Sequence, residues 1–337
     1  MVNQKLQTIS TYLVGFGILL ACFVIILGSY TRLVDAGLGC PDWPGCYGTI
    51  LPPTTDTAVA NANIRFPERP VVLDKTWPEM IHRYLATGLG AVILLVSACS
   101  LLNRRHPAQP AKLALSLLVL VILQGMLGMW TVTMKLYPPV VMGHLLGGFT
   151  IISILSLLFY RLTQIFPPIR DQKASKLKIL GLIGFIVVVL QIALGGWTAA
   201  NYAAHTCIDL PICQEGWSNA LEFGEAFQIF DHNAETFEFA PHLSANAQMT
   251  IHATHRIGAC IVLAIIGLLG IGLLRCETKR YRLFGIVVLS ALTLQIALGI
   301  FNVIFHIPVW VAVLHNFGGA LLLLVMVALN YSLRKKA

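Results

Sequence analysis

Eight stretches of this 337-residue chain are apolar for long enough to cross a lipid bilayer, and this narrows the fold more than any motif does. A helical crossing takes roughly 20 residues. The runs at 11–31, 78–102, 113–134, 138–160, 179–200, 246–274, 283–304 and 308–331 all qualify. Backbone groups in lipid must find their hydrogen bonds within the protein, so each run is expected to be a helix. The predicted class is therefore an all-α integral membrane protein with eight transmembrane helices. Composition agrees: 11% of residues are charged, where a soluble domain carries about 25%.

The net charge of +8 is not the signature of a nucleic-acid partner, because the basic residues are sorted by side. Lys5, the loops at 104–112, 161–178 and 275–282, and Arg334 to Lys336 hold 16 of the 23 Lys and Arg. By the positive-inside rule that side is cytoplasmic, which places both termini inside. The segment 201–245 has no Lys or Arg and seven acidic residues, so it is expected outside. Leu13–Leu27 continues as a spanning helix without a small-residue cleavage site, and no Arg-rich transit peptide is evident. A bacterial plasma membrane is the expected location.

The chain also repeats itself. His82 and His144 are matched by His255 and His315, with His82-Arg83 echoed by His255-Arg256 and a Gly-Gly pair following both His144 and His315. The alternate helices carry Leu27-Gly28, Leu127-Gly128, Leu194-Gly195 and Leu298-Gly299, each followed after one residue by an aromatic; Gln124, Gln191 and Gln295 precede three of them at one spacing. The glycines read as close helix packing and the aromatics as interfacial anchors. Four hairpins thus form two pseudo-symmetric four-helix halves, 1–162 and 179–337, joined by a cytoplasmic linker at 163–178. Their pseudo-twofold axis should run along the membrane normal. Pro78, Pro139 and Pro308 are read as outer helix starts, which puts the histidines of each half at similar depth. Imidazole is costly in lipid, so its presence there points to function. Haem held by a histidine pair in each half is the natural occupant, with Gly147-Gly148 and Gly318-Gly319 leaving room for the macrocycle. The plainer alternative is hydrogen bonding between helices. No role is assigned to His106, His205, His232, His242 or His306.

Cys40 to Cys46 and Cys207 to Cys213 share Cys-x-Asp-x-Pro-x-Cys on the outer, oxidising side, so two disulfides, Cys40–Cys46 and Cys207–Cys213, are expected. They are loop staples, with a redox-active role kept open for Cys40–Cys46. Cys22, Cys99 and Cys260 are expected as small buried hydrophobes, and Cys276 as incidental. The halves differ one turn before the first histidine of each pair, where Glu79 precedes His82 but His252 precedes His255. A carboxyl group there suits proton handling; otherwise it pairs with Arg83 or caps the first turn. Arg83 and Arg256 are candidates for contacts with haem propionates, or for reaching the headgroups. His252 is a propionate support or polar filling.

This ordered set resembles the haem A synthase family, the membrane enzymes that convert haem O into haem A for cytochrome c oxidase. The resemblance covers nearly the whole chain: Thr31-Arg32-Leu33 leading to Cys-Pro-Asp-Trp-Pro, Glu-x-x-His-Arg at 79–83, and the histidines at 144, 255 and 315. It implies that His255 and His315 hold a permanent haem b and that His82 and His144 receive the substrate haem. Glu79 would act in catalysis, and Cys40 with Cys46 would matter for activity. Two successive hydroxylations would take a porphyrin methyl to a formyl group. Implied partners are haem O, the lipid bilayer, haem O synthase and cytochrome c oxidase assembly factors, with a homo-oligomer compatible and the electron donor left open. Two other classes fit the sequence less well. A non-catalytic di-haem b-type electron carrier gives no reason for Glu79 in one half, and a membrane thiol oxidoreductase leaves the histidines idle.

Overall fold

The computed structural model describes residues 4–105, 109–229 and 243–334. Among them eight helices are long and apolar enough to span a membrane. They are α1 (Gln4–Leu33), α3 (Leu73–Leu102), α4 (Ala111–Thr133), α5 (Pro138–Thr163), α7 (Lys178–Ala200), α9 (Ala245–Leu274), α10 (Lys279–Ile304) and α11 (Val309–Arg334). Three short helices sit in the connections: α2 (Asp56–Arg65), α6 (Gln172–Lys176) and α8 (Phe223–Ala226). The described chain contains no strand.

Side chains that would aggregate in water cover the outside of the bundle. Tyr12, Phe16, Leu19 and Phe23 of α1 and Leu263, Leu268 and Ile271 of α9 are all exposed, as lipid contact requires. One apolar core is built around Val14, Ile93, Val96, Leu117, Ile152, Leu155 and Leu158, from α1, α3, α4 and α5. A second is built around Ile266, Leu269, Val288, Leu292, Met326 and Leu329, from α9, α10 and α11, with Val188 of α7. The two groups of four helices meet where α1 and α5 pack on α7 and α11.

Lipid tails are as apolar as leucine, so association between the helices depends on close packing and a few polar links. Asn330 Nδ2 of α11 donates to the Gly181 carbonyl of α7 at 2.8 Å. Gln109 Nε2 donates to Ser100 Oγ at 2.8 Å, and Ser97 Oγ donates to the Ala114 carbonyl at 3.0 Å. Each such link is worth roughly 0.6–2 kcal/mol in a membrane. At the expected cytoplasmic end, Asp171 caps α6 by accepting from Ala174 N at 3.0 Å. Its other oxygen accepts from Thr278 N at 2.9 Å, tying the linker to the turn between α9 and α10.

Three of the expectations need correction. Pro78 lies inside α3, five residues after its start, so the helix reaches about 7.5 Å further out than a start at Pro78 would allow. Asp74 in the first turn favours that extension electrostatically. Trp197 is not an interfacial anchor: it is 3% exposed, and its Nε1 donates to the Ala226 carbonyl at 2.8 Å beneath α8. Cys260 is exposed on the outer face of α9, whereas Cys276 is buried.

Candidate functional site

Each of the four histidines rests against the glycine of the preceding hairpin helix. A Cβ added to Gly28 would lie 2.8 Å from Cε1 of His82. The matching distances are 3.2 Å from Gly128 to His144, 3.1 Å from Gly195 to His255 and 3.2 Å from Gly299 to His315. These glycines therefore do more than bring two backbones together: they make the space in which an imidazole lies. The rings of His82 and His144 stand 6.5 Å apart, centroid to centroid, and at 76° to each other.

Nδ1 of His144 and of His255 lies 3.1 and 3.0 Å from Nε2 of Gln124 and Gln191, whereas Nδ1 of His82 and of His315 has no hydrogen-bond partner. Where the glutamines occur, they embrace the histidine backbone as well. Nε2 of Gln191 and of Gln295 donates to the carbonyls of His255 and His315, each at 2.8 Å, and Gln124 makes the same bond to His144. The amides occupy the notches at Gly147, Gly258 and Gly318, where any Cβ would collide with the glutamine oxygen. At Gly147 and Gly318, where room for a macrocycle was expected, the nearest atom to an added Cβ is a glutamine oxygen.

Arg83 and Arg256 form matching clamps. Arg83 Nη1 donates to the carbonyls of Asp42 at 2.9 Å and Gly45 at 2.7 Å. Arg256 Nη1 donates to those of Asp209 and Ile212 at 2.5 and 2.8 Å. In both halves these are the second and fifth residues after the first cysteine of a disulfide, Cys40–Cys46 or Cys207–Cys213. The guanidinium groups considered for propionates or headgroups hold loop carbonyls through Nη1. The pattern was legible as His-Arg followed across the repeat, but the partners were not.

Glu79 is 5% exposed and tied on both sides. Its Oε2 accepts from Cys40 N at 2.9 Å and its Oε1 from the Arg83 guanidinium. His252, its counterpart, accepts from Arg256 Nε at 3.2 Å. The carboxylate is therefore buried and paired with Arg83, one of the readings its position in the sequence allows. His205 and His306 are exposed in loops, while His106, His232 and His242 lie outside the described residues.

The donor set suits a haem. Among the described residues no cluster of three or more metal-ligating side chains occurs. A porphyrin needs only two axial ligands from the protein, because its own nitrogens fill the plane. Metal–imidazole bonds of about 2 Å on either side, with half of each ring added, match the separation of His82 and His144. Each of the four residues is half-buried.

Such a molecule belongs to the class of multi-pass helical membrane proteins, with histidines of neighbouring helices brought close together inside the bundle. More closely, residues 11–327 match the family model described as cytochrome oxidase assembly protein (COX15-CtaA), and the chain belongs to that family. It is 45% identical to the haem A synthase of Shewanella oneidensis, over 97% of both chains. It is also similar to the haem A synthases of Novosphingobium aromaticivorans, at 27% identity over 89% of this chain and 87% of that one, and of Caulobacter vibrioides, at 26% over 93% and 92%.

Proposed function

We propose that this protein is a haem A synthase, an oxidoreductase that takes a methyl group of haem O to a formyl group for cytochrome c oxidase assembly. The observation that carries the reading is the fourfold glycine–histidine contact combined with a single carboxylate, Glu79, in only one half. Residues 1–162 form the substrate half, 163–178 the linker and 179–337 the cofactor half, related by a pseudo-twofold axis along the membrane normal. His255 and His315 hold a resident haem b. His82 and His144 bind the substrate haem, whose farnesyl chain suits an opening to lipid. When bound, the resident haem supplies a one-electron carrier beside the substrate.

The chain's own residues bind, orient and handle protons. Glu79 stands one helical turn from His82 on the same face, so its carboxylate can move a proton or stabilise positive charge developing on the substrate. Arg83 holds that carboxylate and the Cys40–Cys46 loop in one unit. Both termini are cytoplasmic and both disulfide loops lie outside a bacterial plasma membrane, in line with the charge bias of the loops. Haem O synthase and oxidase assembly factors are the natural neighbours for supply and delivery.

Haem extraction and chromatography of the purified protein test the reading. Haem B is expected in the wild type, with haem A formed when haem O is supplied in membranes. His255→Ala and His315→Ala should each lose haem B. Full haem B with an unchanged low-spin spectrum in both variants would overturn the ligand assignment. Haem B without any haem A formation would favour an electron carrier.

A further inference from the structure

The two halves are tied together by residues that hold equivalent places in the repeat. Gly28 of α1 and Gly195 of α7, which seat His82 and His255, correspond to each other, and Arg32 and Ala199 follow them by four residues. Arg32 and Ala199 are 167 positions apart, and so are Asp35 and Tyr202. Both pairs are in contact. Arg32 Nη2 donates to the Ala199 carbonyl at 2.8 Å, and its guanidinium carbon stands 4.1 Å from the centre of the Tyr202 ring. The Tyr202 hydroxyl donates to Asp35 Oδ1 at 3.4 Å, and Arg32 Nη1 lies 3.5 Å from that oxygen. Asp35 and Tyr202 also share a left-handed backbone, with φ of 52° and 55°. Residues related by a twofold axis meet one another only beside it, so this cluster belongs next to the pseudo-axis.

The position matters because of what lies beneath it. One turn inward, about 6 Å along each helix, are the two glycine seats, whose Cβ positions lie 2.8 Å from His82 and 3.1 Å from His255. A slide of α1 against α7 therefore moves one imidazole seat relative to the other. Elsewhere the halves meet through α1 on α11 and through α5 on α7 and α11, with Tyr30 of α1 stacked on Trp310 of α11 at 5.4 Å. Packed helices can slide by small amounts across such contacts. A charged hydrogen bond with a ring beneath it is less forgiving. A guanidinium over an aromatic face gains most where water is scarce, and the Arg32 side chain is 16% exposed. Charge also explains why the latch is one-sided: two arginines facing each other beside the axis would repel. The first half supplies cation and carboxylate, and the second supplies carbonyl and ring.

We propose that Arg32 is a positioning residue shared by both sites. With Tyr202 and Asp35 it latches α1 to α7, and so fixes the spacing between the substrate pair, His82 and His144, and the cofactor pair, His255 and His315. That spacing governs how readily one electron leaves the cofactor iron and arrives at the substrate iron, with no bond made and no proton moved. This rests on the assignment of substrate and cofactor pairs made above.

The test uses the detergent-solubilised full chain with haem B at the cofactor pair and haem O at the substrate pair. Pulsed EPR reads the dipolar coupling between the two ferric irons, and optical titration reads haem occupancy. The wild type should give one narrow distance. Arg32→Gln and Tyr202→Leu should each keep both haems while the distance broadens or shifts, and haem A formation should fall about tenfold from misplacement alone. Arg32→Lys keeps a cation over the ring and a donor for the Ala199 carbonyl, so it should preserve the narrow distance. An unchanged distance in both Arg32→Gln and Tyr202→Leu would overturn the latch, and so would a Lys variant as disordered as the Gln one. Loss of haem from one pair only would make Arg32 part of that pair's pocket and overturn its shared role. A wild type without two bis-histidine low-spin signals would overturn the ligand assignment itself, and the latch with it.

Discussion

Both oxygens of Glu79 are already engaged, one by the Cys40 amide and one by Arg83. This makes the residue at once a candidate proton carrier and a fastener for the outer loop, and substitutions can separate the two. Glu79→Ala leaves Arg83 buried without its partner, which costs about 3–5 kcal/mol in comparable sites and obscures any catalytic effect. Glu79→Gln keeps the size and one acceptor but loses the titratable group. Its expected result is haem B retained at His255 and His315 with haem A formation reduced about 100-fold, the scale of general acid–base assistance. Chromatography of extracted haems checks this, and a normal haem A yield would leave Glu79 a fastener only.

The repeating element is a helix pair in which a glycine on one member admits an imidazole from the other. A methyl group at that glycine has nowhere to go. Gly195→Ala would press Cβ to 3.1 Å from His255 Cε1, and Gly28→Ala to 2.8 Å from His82. Overpacking of this kind costs about 1–3 kcal/mol. Gly195→Ala should lower haem B content, whereas Gly28→Ala should spare haem B and weaken haem O binding; spectroscopic titration distinguishes them. The disulfide loops allow a second contrast at this scale. Opening Cys40–Cys46 frees the backbone amide that Glu79 accepts from, while opening Cys207–Cys213 disturbs only the loop that Arg256 clamps. Paired Cys→Ser substitutions at 40 and 46 should therefore depress haem A formation more than those at 207 and 213, measured per bound haem B. Equal effects would remove the link between the first loop and catalysis.

At the scale of the molecule, Asp171 fastens the linker to the C-terminal half, capping α6 and accepting from Thr278 N in the turn between α9 and α10. Burial alone would raise the proton affinity of its carboxyl, but hydrogen bonds from Ala174, Thr278 and Glu277 outweigh it and hold Asp171 below the ordinary value of 3.8. A folded-state pKa lower than the unfolded one stabilises the protein above the unfolded value, and that contribution fades as pH falls through the folded one. Asp171→Ala should accordingly destabilise the protein by about 1–2 kcal/mol at neutral pH. The gap between variant and wild type should narrow under strong acid. Thermal unfolding in detergent across that pH range measures it, and a gap independent of pH would show that the carboxylate charge is not involved.

Spans, hairpins, repeated histidines and cysteine pairs were all readable from the chain, because each is set by local pattern: apolar runs of bilayer length, and residue types recurring at one spacing. The helix ends were less readable. Pro78 reads as a helix start in one dimension, yet α3 begins earlier, at Leu73, with Asp74 in its first turn. Trp197 looked like an anchor until α8 was seen to cover it. What only the tertiary structure decided is partnership across distance. The spacing of Gln124, Gln191 and Gln295 was visible, but not that each amide enters a glycine notch on the next helix, nor that Arg83 and Arg256 hold loops about 40 residues away in sequence. Side-chain period and residue type are properties of one helix, whereas a hydrogen bond between helices depends on their register and rotation, which packing sets.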